Sequence, residues 1–184
     1  MTSTRPGRGP ADPERPNRII DAALSIMLDD GIQGLSHRAV AARARVPLGS
    51  TTYYFKDLDA LLMASIEKLT EAARLQFEEW GKGFSSIEAL PQQLAELIHH
   101  RLTRQRDEAI LSYELYTFAM RHAAFRVLSE SWMGVLKIAV GGYTGEKTAE
   151  ALVALIDGIM IQGLISPHPP SLERIRSTLK MIVR

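Results

Sequence analysis

Apolar residues recur with a helical period along almost the whole chain. Ile20, Ala23, Leu24, Met27 and Leu28 fall at i, i+3, i+4, i+7 and i+8, which predicts a helix over 14–30 that ends at Gly31. Ser36 is an N-cap for a second helix over 37–44, in which Ala41 is small enough for close packing. Arg45-Val46 makes a tight break. Pro47 suits the first position of a third helix, because its missing N–H costs nothing there, and that helix runs to Tyr54. Asp57 caps a long fourth helix over 58–80, carrying Leu61, Leu62, Ile66 and Leu69. Two short helices joined by a tight turn inside a three-helix head describe a helix-turn-helix.

The rest is helical by period as well. Leu90, Leu94, Leu97, Ile98 and Leu102 predict a fifth helix over 87–105. Leu111, Leu115 and Phe118 predict a sixth over 107–122, and Phe125, Leu128, Val135 and Leu136 a seventh over 124–140. "GGYTG" breaks the chain. The eighth helix, 147–165, is apolar almost all round and is expected to be buried on nearly every side. "SPHPP" ends it, and Leu172, Ile175, Leu179 and Ile182 mark one face of a ninth over 172–183. No strand pattern and no internal repeat is visible. The expected fold is all-α, with about nine helices. A flexible Pro/Gly-rich arm (1–13) precedes a helix-turn-helix head (14–56), and a helical-bundle body (57–184) follows, with the fourth helix as linker.

Charge sharpens this division. Residues 1–56 hold 8 Lys/Arg and 5 Asp/Glu, against 14 and 16 in 57–184, so a basic head sits on an acidic body. That is a mild sign of a polyanion partner. Arg5 and Arg8 make the arm either a plain floppy terminus or a strand that touches a nucleic-acid groove. The absence of cysteine removes disulfides, thiolate metal sites and a cysteine nucleophile. No uninterrupted apolar run reaches the roughly 18 residues of a membrane span, and no signal-peptide pattern opens the chain. A cytoplasmic protein is expected.

A recognition helix must bring its first turns close to base edges. Leu48-Gly49-Ser50-Thr51-Thr52 fits: Gly49 allows approach, and the hydroxyls can bond phosphates or bases. Tyr53 and Tyr54 can reach phosphate oxygens, while Phe55 turns to the core. The same geometry also occurs in proteins that bind no nucleic acid, and Ser, Thr and Gly clusters are ordinary turn material.

At these residues the chain resembles the TetR family of bacterial transcription regulators. Gly34, Ser36, Arg38, Val40, Ala41, Ala44, Val46, Gly49, Ser50, Tyr54, Phe55 and Leu61 stand where that family's head motif has them. The resemblance implies a dimeric repressor whose third helix enters the major groove of a palindromic operator. It also implies a pocket among helices 4 to 8 and pairing of helices 8 and 9. Carried over by position, Ser36, His37, Arg38, Pro47, Leu48, Gly49, Ser50, Thr51, Thr52, Tyr53, Tyr54 and Lys56 form the DNA face. Arg45 replaces the family's turn glycine, Pro47 its helix-capping serine, Leu58 its phosphate-anchoring lysine and Thr52 a frequent tyrosine.

For the dimer interface the expected residues are Leu152, Leu155, Ile156, Ile159, Gly163, Ile175 and Leu179, with Gly158 and Gly163 allowing close approach. For the pocket they are Arg101, Tyr113, Glu114, Thr117 and Trp132, an apolar site with a few polar anchors. Such a pocket would take a small, mainly apolar effector that releases operator DNA. "GGYTGEKT" lacks the lysine spacing and preceding strand of a phosphate loop, and adjacent His99 and His100 point roughly 100° apart on a helix. No cofactor, metal or catalytic residue is therefore expected. The alternative is a regulator-like helical protein that acts through protein partners without an operator.

Overall fold

The computed structural model describes residues 12–83 and 86–183, and leaves the side chains of Trp132 and Met133 outside that description. The arm's Arg5 and Arg8 lie outside it too. Among the described residues there are nine α-helices and no strand: α1 (Arg15–Asp30), α2 (His37–Ala44), α3 (Leu48–Tyr54), α4 (Leu58–Gly81), α5 (Leu90–Thr103), α6 (Arg106–Arg121), α7 (Arg126–Thr144), α8 (Glu146–Ile165) and α9 (Leu172–Leu179). Short 3-10 turns precede α2 (Ile32–Gly34) and α7 (Ala123–Phe125).

The N-terminal signals act as expected. Ser36 Oγ accepts the N–H of Ala39, and Asp57 Oδ1 that of Ala60, each at a helix start. Gly31, at φ 71°, closes α1. Several boundaries differ from the sequence expectation. Pro91 holds the start of α5 at Leu90, since a proline is accommodated only in the first turn. Pro47 lies one residue before α3 and offers it a carbonyl, which accepts the Ser50 N–H at 2.8 Å. α9 ends at Leu179. "GGYTG" does not break α7, which runs on to Thr144 and stops at Gly145, φ 78°. Its last turn is held by the Tyr143 O–H, which donates to the Gly81 carbonyl at 3.0 Å at the end of α4.

Three apolar clusters organise the chain. Ile19, Ala22, Ala23, Ile26, Val40, Phe55 and Leu61 form the head core. On α1 Ala23 and Met27 are buried as expected, but Ile19, Ala22 and Ile26 complete the inward face, Ile20 and Leu24 are half-buried and Leu28 is exposed. Leu94, Ile98, Leu102, Leu152, Ile156, Met160, Ile175 and Leu179 are central to the body core. Between them Met27 of α1 meets Leu62 and Ile66 of α4 and Leu111 and Leu115 of α6, so head and body share a packed junction.

α8 departs from expectation. Leu152, Ile156, Met160 and Gly163 pack inward, but Ile161 and Ile165 are exposed, and Leu155 and Ile159 are half-buried. By length and composition alone this helix would also suit a membrane span. Its inner face is instead taken by the body core.

Candidate functional site

The turn between α2 and α3 sets the geometry of the head. Arg45 adopts the left-handed conformation, φ 55° and ψ 45°, and the Val46 N–H reaches back to the Ala41 carbonyl at 3.0 Å. This is a Schellman-type closure, in which glycine is usual because a side chain in that conformation costs about 1–2 kcal/mol.

α3 then presents one outer surface. Leu48, Gly49, Thr52 and Tyr53 are exposed, Tyr53 at 74%, and Ser50 is half-buried. Tyr54 is half-buried against the head core, edge-on to Tyr53 with ring centroids 5.0 Å apart. A Cβ built on Gly49 would meet nothing within 4 Å, so the fold itself does not require glycine there. Exposed Arg38, Arg45, Pro47 and Lys56 and half-buried Ser36 and His37 stand on the elements around it. Arg43 is drawn away to Ser25 and Asp29. Thr51 does not belong to this surface. It is 0% exposed, and its hydroxyl donates to the Leu48 carbonyl at 2.8 Å. On so short a helix one position in each turn must face the core, and Thr51 is that position.

In the body a small cavity of about 80 Å³ lies among α4 to α8. Phe77, Leu97, Ile98, Val135, Leu136 and Met160 give it an apolar wall, and Arg101, Ser112, Tyr113, Tyr116 and Asp157 supply polar groups. The Tyr113 O–H donates to Asp157 Oδ1 at 2.9 Å, and Arg101 Nη2 donates to Ser112 Oγ at 3.2 Å. Burial raises the Tyr113 phenol well above its ordinary range, and the Asp157 carboxylate pushes it further. Burial also raises Asp157, while the bond from Tyr113 works the other way. Arg101 is lowered by burial.

Two expected pocket residues are elsewhere. Glu114 faces the head, where Oε2 accepts the Ile32 N–H, because the step from Tyr113 to Glu114 turns about 100° around α6. Thr117 is exposed in a neighbouring groove of about 610 Å³. The expectation for the Trp132 side chain lies outside the described residues. Asp157 and Tyr116 escaped the sequence reading, although a signal existed for Asp157: it is the one ionisable residue in the apolar run 151–165.

The dimer expectation needs a larger correction. Leu152, Ile156, Gly163, Ile175 and Leu179 all face inward. A Cβ on Gly163 would come within 2.8 Å of Leu102, so this glycine admits α5 rather than a second chain. Leu155 and Ile159 remain on the outer side, along a groove between α8 and α9 with Gly158, Gln162, Arg174 and Thr178.

Residues 85–184 match the family model described as the tetracyclin repressor-like C-terminal domain. The chain belongs to the TetR family. It is similar to the multidrug binding protein EbrR, whose ethidium complex is 40% identical with a TM-score of 0.83, covering 94% of this chain and 100% of that one. Further EbrR structures hold proflavin, imidazole and malachite green. A TetR-family likeness of 30% identity and TM-score 0.85 extends to the transcriptional regulator SCO7518 of Streptomyces coelicolor A3(2), over 93% of this chain and 99% of that one. The nicotine-responsive transcriptional repressor HdnoR of Paenarthrobacter nicotinovorans is 21% identical over 169 residues, 85% of this chain and 87% of its own. SCO7518 and HdnoR are transcriptional regulators.

Proposed function

We propose that the chain is a repressor that binds a palindromic operator as a homodimer and leaves it when a small, mainly apolar molecule enters the body. Residues 14–56 form the DNA-binding unit and 57–184 the ligand-binding and dimerising unit, acting in the cytoplasm. The observation that carries this reading is Gly49: the exposed helix α3 is left bare at a position where an added Cβ would meet nothing within 4 Å. Bareness there serves an outside surface that comes close, as a major groove does. Leu48, Ser50 and Thr52 then face base edges. Tyr53, Tyr54, Arg38 and Lys56 serve the backbone, which positions the head without reading sequence.

The effector reading is supported by the polar cluster inside an apolar wall, and by the ligand-bound EbrR structures and the nicotine-responsive HdnoR. The dimer reading is supported by the apolar outer side of α8, since permanent interfaces resemble a core cut in half. Two-fold symmetry of the protein then calls for a palindrome with half-sites about one helical turn, or a small multiple, apart. The test is a mobility-shift selection on random duplexes. Enrichment of a palindrome whose binding weakens with salt is the expected result. A selection that enriches nothing sinks the reading.

A further inference from the structure

α3 lacks the side chains that usually identify a base. Its residues, Leu48 to Tyr54, include no Arg, Lys, Asn, Gln, Asp or Glu. In the major groove guanine is identified by a bidentate Arg or Lys, adenine by Asn or Gln and cytosine by a carboxylate, whereas a serine or threonine hydroxyl serves several bases. Thymine differs, because its C5-methyl is met by apolar groups. α3 offers such groups on one face. Leu48 is 52% exposed, and Thr52, one turn on, is exposed as well. The Thr52 hydroxyl turns back to the Gly49 carbonyl at 3.4 Å, which leaves its methyl as the group for an outside partner. The exposed cations belong to neighbouring elements: Arg38 to α2, Arg45 to the turn and Lys56 to the segment after α3.

We infer that α3 selects its half-site by thymine methyls: the base pairs beneath it are A·T pairs that present their methyls to the Leu48 side chain and to Cγ2 of Thr52. This rests on the reading of α3 as the helix that meets DNA, and adds the class of base it selects. Gly49 supports the same conclusion. Apolar contact needs heavy atoms within about 4.0–4.5 Å. A long Arg or Gln side chain can span a gap between helix and base, whereas Leu48 and the short Thr52 reach a methyl only if the helix lies close. The bare position between them, where an added Cβ meets nothing within 4 Å, permits that approach. The exposed Leu48 side chain is then covered by the thymine, and the apolar area removed from water stabilises the complex. Any guanine read by Arg38 or Arg45 lies outside the pairs under α3.

The test takes the duplex that full-length protein selects from random DNA and replaces its thymines by deoxyuridine, one position of the half-site at a time. Uracil keeps the pairing and deletes only the methyl. Affinities are measured at one fixed salt concentration for wild type, Leu48→Ala and Thr52→Ser, after thermal melts show that these exposed-site variants fold. Thr52→Ser removes Cγ2 and retains the hydroxyl that bonds Gly49. For wild type, uracil should cost about fourfold at each contacted position, and about fifteenfold when both halves of the palindrome carry it, the scale of one buried methyl per half-site. In Leu48→Ala the penalty at one position should shrink to within about 1.5-fold, and in Thr52→Ser the penalty at another, because the partner of that methyl is already gone. Uracil elsewhere in the duplex should be neutral. A selected half-site without thymine, uracil that is neutral at every position, or penalties that both variants leave unchanged overturns the inference while the repressor reading stands on the selected palindrome. A selection that enriches nothing overturns both.

Discussion

Oε2 of Glu114 on α6 accepts the backbone N–H of Ile32 at 3.4 Å, joining residues 82 positions apart. Beside this contact Gly31 turns with φ 71°, and a Cβ there would stand 3.1 Å from the same oxygen. The carboxylate therefore sits on the turn between α1 and α2. Its neighbour Tyr113 lines the body cavity, so one turn of α6 touches both that cavity and the head.

If an effector releases operator as proposed, that arrangement would give α6, beside α4, a direct part in switching. Shifting α6 moves an acceptor that the Ile32 N–H needs. Glu114→Ala should weaken the coupling between effector and operator by about 1 kcal/mol of the usual 1–3, and Glu114→Gln, which retains an acceptor, should restore it. The measurement is effector affinity with and without operator. An alanine variant with undiminished coupling would show that the signal bypasses this contact.

Two neighbours on α3 separate a DNA surface from a packing surface. At Gly49 a side chain meets nothing. Gly49→Ala should keep or raise stability, by up to about 1 kcal/mol from helix propensity, and Gly49→Leu should also fold. Both should lose operator affinity, the leucine variant by more than tenfold, on the order of 1.4 kcal/mol. Thr51→Val should do the reverse, costing about 1 kcal/mol of stability through the lost bond to the Leu48 carbonyl while leaving DNA affinity unchanged. Thermal melts and mobility shifts on the three variants decide, and a Gly49→Leu chain that binds operator normally removes α3 from the groove.

Some of this was open to sequence reading and some was not, for physical reasons. Ser36 and Asp57 cap their helices through bonds to residues three positions on, so local chemistry was sufficient. The break at Arg45-Val46 was readable between two short helices, and the left-handed backbone of Arg45 was implied by the turn glycine that the TetR family has there. The continuation of α7 through Gly141 and Gly142 was hidden. There Gly141 packs toward Ala149 of α8, and Tyr143 bonds Gly81 of α4, both contacts distant in sequence or in another helix. On α8 nearly every position is apolar, so period could not tell the inner face from the outer. Glu114 and Thr117 were grouped with Tyr113 as one semi-polar face of α6; Thr117 does share the outer groove with Tyr113, whereas the helix turns Glu114 to the head.

Arg45 offers a test in which stability and DNA binding move apart. Its left-handed backbone costs about 1–2 kcal/mol, of which glycine would return part, less about 0.4–1 kcal/mol for its more flexible unfolded chain. Arg45→Gly should therefore stabilise the protein by about 0.5–1 kcal/mol, raising Tm by roughly 1–4 °C. If the exposed guanidinium meets a phosphate, the same change lowers operator affinity and reduces the salt slope by about one ion. A higher Tm with an unaltered salt slope places Arg45 outside the footprint.

The two sides of α8 make opposite forecasts for the dimer. Ile156 is buried in the body core, so Ile156→Glu should unfold the chain, whatever its partners. Ile159 is half-buried on the outer side beside Gly158, where an added Cβ meets nothing within 4 Å of this chain. Ile159→Glu should therefore cost some packing but leave a folded monomer, because from this half-buried position the carboxylate reaches water when the chain is alone and becomes a buried, unpaired charge only when a second copy covers it. Gly158→Leu tests the same surface by bulk instead of charge. It has room in a single chain and none under a tightly crossing helix. Both variants should lose operator affinity, since each head alone meets only one half-site. Light scattering at micromolar concentration, read beside a thermal melt, distinguishes these outcomes. A wild type that is monomeric, or an Ile159→Glu chain that still forms dimers, places the interface elsewhere.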